Sequence, residues 1–212
     1  MSRKKRQSVG KSKAWERKRP FERRVETQEP KVKFLIVCEG EKTEPFYFEG
    51  FRVKSAKLII KGAGDNTVNL VRIALRLREE QAKEGPPYDQ VWCVFDRDDF
   101  PAEHFNEAFA VAKEHRIEIA YSNQAFELWY LLHFIYCESA ISRVSYITRL
   151  KKHLGHKYEK NSRTIYDELK DKQPDAIRNA KRLLETYAEF APEKNDPSTT
   201  VHRLVEELNK YI

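Results

Sequence analysis

Acidic side chains placed straight after apolar runs are the feature of this chain with the clearest chemical promise. Glu39, Gly40 and Glu41 follow the run Phe34 to Val37, and Asp96, Asp98 and Asp99 close the run Val91 to Phe95. A hard divalent cation such as Mg²⁺ or Mn²⁺ takes oxygen ligands, and one or two carboxylates commonly hold it while water and substrate phosphate fill the other positions. Side chains alternate with period two along an extended segment, so Asp96 and Asp98 fall on one side and Asp99 on the other, as a helix cap or outer ligand. A single acidic cluster is read as readily as a strand end dissolved in water. Two strands ending the same way point to a shared cation. Glu127, near the start of a strongly apolar segment, stays open between a ligand and a buried ion-pair partner, since a helix dipole stabilises an acid there anyway.

Other residue types are weaker candidates. Lys42 is placed to touch a phosphate from a helix start, but Lys42 and Thr43 lack the glycine spacing of a Walker A loop. Gly64, within Gly62 to Asp65, is either a close backbone approach to substrate or a plain turn. His153 and His156 read as surface residues, His133 as a core residue, and Ser122 and Asn123 as helix caps. Cys38 stands beside Glu39, whose charge disfavours a thiolate, so cysteine nucleophilic chemistry is excluded there.

Positioning these acids requires a sheet. Phe34 to Val37 has the continuous apolar character of a strand covered on both faces. Lys57 to Lys61, Asp89 to Phe95 and Arg116 to Tyr121 are further expected strands. Helices are expected over Lys42 to Lys54, Thr67 to Lys83 and Pro101 to His115. Alternation of strand and helix predicts an α/β fold with a mostly parallel sheet flanked by helices. If the first and third strands are neighbours, the crevice between their carboxyl ends is the switch point at which such sheets bind ligands. Phe126 to Tyr136 is expected to be a buried helix. Only helices are expected beyond Ser139: Ser142 to Leu154, Ser162 to Lys170, Pro174 to Phe190, and Ser198 to Tyr211 with Ser198 as cap. The division expected is a disordered basic leader over 1–29, an α/β core over 30–138, and a helical extension packed on it over 139–212.

The totals bound the function. A chain of 212 residues has room for a sizeable core. Its net charge of +7 is uneven, because residues 1–24 hold 11 Lys or Arg against Glu16 and Glu22, leaving the remainder at −2. Such a leader suits a nucleic acid, with Trp15 and Phe21 available for stacking, or serves only as a solubilising tail. The 3 cysteines are far apart and form no metal-binding spacing, so small core residues in a reducing cytoplasm are expected. No apolar run approaches the roughly 18 residues of a membrane span, so no membrane partner is expected.

The stretches VCEGEKTEPFYFEGF, FDRDDF and SNQAFELWYLLHF resemble the three motifs of the RloB family, which is similar to Toprim domains. The resemblance runs from about Lys33 to the carboxyl terminus. It implies a Toprim-like core in which Glu39 acts as general acid or base and Asp96 and Asp98 hold Mg²⁺. Glu41, Asp99 and Glu127 depart from a minimal Toprim pattern, leaving open which acids form a first or second metal position. The family association implies a metal-dependent nuclease for DNA or RNA in bacterial antiviral defence, beside a partner ATPase of the AAA or ABC type. Assembly into a homo-oligomer stays open. Two other readings also stand: a non-catalytic subunit binding nucleic acid or regulating the ATPase, and phosphoryl or nucleotidyl transfer on a small nucleotide.

Overall fold

The computed structural model describes residues 31–64, 67–97 and 101–212. The leader with Trp15 and Phe21, and the candidate ligands Asp98 and Asp99, lie outside the described residues. The elements run β1 (Val32–Cys38), α1 (Thr43–Glu49), β2 (Ala56–Gly62), α2 (Thr67–Glu84), β3 (Gln90–Arg97), α3 (Ala102–Glu114) and β4 (Glu118–Asn123). They continue with α4 (Glu127–Leu132), α5 (Arg143–Leu154), α6 (Ile165–Leu169), a 3₁₀ turn at Lys170–Lys172, α7 (Gln173–Glu185) and α8 (Val201–Asn209).

The four strands form a parallel sheet in the order β2-β1-β3-β4. β1 and β3 are therefore neighbours, with Cys38 opposite Val94 at the carboxyl end. This is the α/β, Toprim-like arrangement expected. Strand alternation divides the core in two. Leu35, Val37, Cys93, Phe95 and Tyr121 pack with α2 and α3 residues on one face. Phe34, Ile36, Cys38, Trp92, Val94 and Ala120 pack with Tyr47 and Phe48 of α1 and with the carboxyl-terminal helices on the other. Residues Lys31–Ile212 form one compact unit. No described helix is long and apolar enough to cross a membrane.

Several boundaries differ from expectation for identifiable reasons. β3 continues through Asp96 and Arg97, which pair with Ser122 and Asn123 of β4, so Asp96 is a strand residue rather than the start of a loop. The helix expected to reach Tyr136 ends at Leu132, where Asn179 Nδ2 donates to the Leu132 carbonyl at 2.8 Å. Ser198 does not cap the last helix, whose N-cap is Thr200. Instead Ser198 to Thr200 lies along β4: the Asn123 N–H donates to the Ser198 carbonyl at 3.0 Å, and the Thr200 N–H to the Tyr121 carbonyl at 2.9 Å. Ser122 forms an antiparallel bridge with Thr199. Ser122 and Asn123 thus serve this strap and do not cap α4. The strap covers the edge groups of β4 that would otherwise lack partners.

Candidate functional site

Alternation along β3 places Asp96 on the same face as Trp92 and Val94, the face covered by α1 and α4. Glu39 reaches it from the end of β1. The Glu39 N–H donates to the Val94 carbonyl at 2.8 Å, extending the ladder by one bond. Its Oε2 in turn accepts the Asp96 N–H at 2.9 Å. The two acidic strand ends, 57 residues apart in sequence, are in direct contact. Around them lies a cavity of about 200 Å³, whose walls include Glu39, Glu44, Asp96 and Glu127 together with Arg143 and Lys160.

Each further wall residue has a structural reason for its position. Glu44 lies in the first turn of α1 and is buried. An added Cβ at Gly40 would collide with its carboxylate, so a larger residue between Glu39 and Glu41 would push the Glu44 side chain out of this position. Glu127 opens α4, is only 2 % exposed, and accepts the Tyr158 hydroxyl at 3.1 Å. Lys160 Nζ stands 3.8 Å from its Oε1. Thr43 fastens the Lys160 loop by donating its hydroxyl to the Lys160 carbonyl at 3.1 Å. Arg143 begins α5 and donates from Nε and one terminal nitrogen to the Gln124 carbonyl at 3.0 and 2.7 Å. Gln124 itself takes a left-handed backbone, φ 60°.

Four carboxylates on one small cavity repel one another. Burial raises the Asp96 carboxyl well above its ordinary range, and the charges of Glu44, Glu127 and Glu39 add to the rise, with Arg143 opposing it. Glu44 is also raised, first by burial; backbone N–H groups of Glu44 and Gly40 pull it down, Glu127 pushes it up and Lys160 draws it down. Asp96 keeps some exposed surface, yet its Oδ1 is sealed from solvent and has no hydrogen-bond partner among the described residues. A buried, unpaired carboxylate oxygen costs free energy unless a proton or cation compensates it.

Not every candidate faces the cavity. Glu41 is exposed and lies against the loop after β2, where an added Cβ at Gly64 would stand 3.1 Å from its Oε1. Lys42 is exposed just before α1, and neither it nor Glu41 is among the wall residues. Gly64, at φ 61°, donates its N–H to the Glu39 carbonyl at 2.9 Å. It therefore buttresses the Glu39 turn. The set Glu39, Glu44, Asp96 and Glu127 is chemically suited to a hard cation because every donor is oxygen. Among the described residues, no group of three or more His, Cys, Asp or Glu side chains is already arranged to hold a metal ion.

Among known proteins, residues 34–208 match the family of RloB-like proteins. The chain belongs to the RloB-like family. No curated protein and no solved structure matches it. The match spans β1 through α8, so the RloB-like region includes the helices that supply Glu127 and Arg143 and the loop that supplies Lys160, as well as the sheet.

Sequence reasoning missed Glu44, Arg143, Tyr158 and Lys160 as residues in and around this cavity. Glu44 carried a readable signal: with Tyr47, Phe48 and Phe51 it follows the i, i+3, i+4, i+7 spacing of a buried stripe, and an acid there must have a purpose or a partner. Tyr158 and Lys160 carried none, because their positions depend on how the loop between α5 and α6 folds back onto Thr43.

Proposed function

We propose that this RloB-like chain is a divalent-metal-dependent phosphodiesterase acting on DNA or RNA. One observation carries the reading: Glu39, Glu44, Asp96 and Glu127 share one cavity, and Asp96 Oδ1 is buried without a hydrogen-bond partner among the described residues. Asp96, with Glu44 and Glu127, would hold Mg²⁺ or Mn²⁺. Asp98, two residues on from Asp96 in sequence, joins them in this proposal. When bound, the cation supplies charge neutralisation at a phosphate and lowers the pKa of a bound water. Glu39 is left to move a proton, its carboxylate oriented by the Asp96 N–H. Arg143 and Lys160 supply positive charge at the same cavity for a phosphate's remaining oxygens. The setting proposed is bacterial antiviral defence beside a partner ATPase.

A second reading has an observation of its own. Glu127 already engages the Tyr158 hydroxyl and Lys160, as it would in a structural polar cluster of a non-catalytic regulatory subunit. Cleavage assays separate the two. The purified chain, alone and with its neighbouring ATPase, is incubated with plasmid DNA and total RNA in Mg²⁺ or Mn²⁺. The nuclease reading expects cleavage that falls at least a hundredfold in Glu39→Gln and Asp96→Asn, with both variants keeping the wild-type circular dichroism spectrum. Cleavage unchanged in both variants overturns it.

A further inference from the structure

Between Lys151 and Arg163 the sequence holds five Lys or Arg against the single acid Glu159. All five cations are exposed. Lys151, Lys152 and Lys157 line a surface cleft of about 310 Å³ at the end of α5. Three residues further on, Lys160 forms part of the carboxylate cavity wall. Three residues span at most about 10 Å of extended chain, so the cleft and the cavity mouth are close along this loop. Arg163 continues the run, its guanidinium 4.0 Å over the Phe46 ring.

Local structure accounts for only part of this charge. Lys151 and Lys152 occupy the last turn of α5, where the helix dipole favours cations. Lys157, Lys160 and Arg163 lie beyond it. The ion pairs Lys157–Glu159 at 3.5 Å and Arg163–Glu49 at 3.3 Å join side chains that are each about half exposed or more, so they hold the cations only weakly. Among the described residues, Lys151 and Lys152 have no ion-pair partner. A run of exposed cations leading to an acidic pocket matches a polyanion whose one phosphate enters the pocket while its neighbours lie outside.

We propose that the loop from Lys151 to Arg163 is a backbone track that binds the phosphates of a nucleic-acid strand flanking the one in the carboxylate cavity; this rests on the phosphodiesterase reading of that cavity. Contacts to phosphates carry no sequence information, so the contribution of the track to binding is expected to be independent of sequence.

The test compares the full-length wild type with Lys151→Ala/Lys152→Ala/Lys157→Ala and with Arg76→Ala/Lys83→Ala/Lys113→Ala, a control of equal charge loss on α2 and α3. Binding of a fluorescent 30-nucleotide single strand is followed by anisotropy across a salt series. The track variant is expected to bind about tenfold more weakly near 0.15 M salt, with a log–log salt slope shallower by about 2, since each lost phosphate contact to a single strand removes roughly 0.7. The control is expected to stay within about twofold of wild type. Equal affinity and slope in the track variant, or an equal loss in the control, overturns the track. Hydrolysis of bis(4-nitrophenyl) phosphate, a diester too small to need the track, is measured in parallel and is expected to be unchanged in the track variant. Absence of metal-dependent hydrolysis in the wild type would remove the reading of the cavity while the salt slopes still decide the track.

Discussion

Glu44 shows what the site asks of a single residue. Burial and the Glu127 charge raise its carboxyl above the ordinary 4.5, so the contribution of this group to stability is present at low pH and is lost as pH rises past that value. At neutral pH the carboxylate is a local liability that a cation would relieve. Glu44→Gln should therefore stabilise the metal-free chain at pH 7 by about 1 kcal/mol, a rise in Tm of roughly 2–4 °C, and the gain should fade below about pH 4.5. Scanning calorimetry in a chelator at the two pH values checks this; a lower Tm for the variant at pH 7 would refute it. Gly40→Ala should cost about 1–3 kcal/mol, because its Cβ meets the Glu44 carboxylate, and a shift in the urea midpoint reads that cost. The contact between Glu39 and Asp96 was legible in the sequence, since two apolar runs ending in acids and a parallel strand order bring them together. The role of Glu44 was obscured by its place among apolar neighbours, and Asp98 lies outside the described residues.

The elements show which features of the fold local sequence can specify. The apolar runs of β1 and β3 and the alternation of strand with helix indicated a parallel α/β sheet. The extent of α4 and the course of Ser198 to Thr200 were not indicated, because each depends on a partner far along the chain. Asn179 stops α4 by taking the Leu132 carbonyl, and Asn123 anchors the strap. Asn123 Oδ1 accepts both the N–H and the hydroxyl of Ser198 in a buried setting. Asn123→Ala would leave the buried Ser198 N–H without its acceptor, while the Ser198 hydroxyl keeps the Asn195 carbonyl at 2.6 Å. The expected loss is about 2–3 kcal/mol, seen as a lower urea midpoint with the α/β circular dichroism signature retained; an unchanged midpoint would show that the strap contributes little.

Across the whole molecule, the helical face of the sheet carries two buried imidazoles. Burial lowers His133 and His202 from 6.5 to about 4 each. In the unfolded chain both would take up protons near pH 6.5, so the folded state is at its full relative stability above that pH and loses it progressively as pH falls toward 4. Roughly 3 kcal/mol per histidine is at stake, opposing the gain that protonation gives the carboxylate cavity. His202→Gln should flatten the decline in urea-derived stability between pH 6.5 and 4. The measurement closest to the central claim is calorimetric titration of Mn²⁺ into the full-length chain and into Asp96→Asn. The account predicts saturable binding by the wild type and an affinity at least tenfold weaker, about 1.4 kcal/mol, in the variant. Identical Mn²⁺ binding by the two proteins would contradict it.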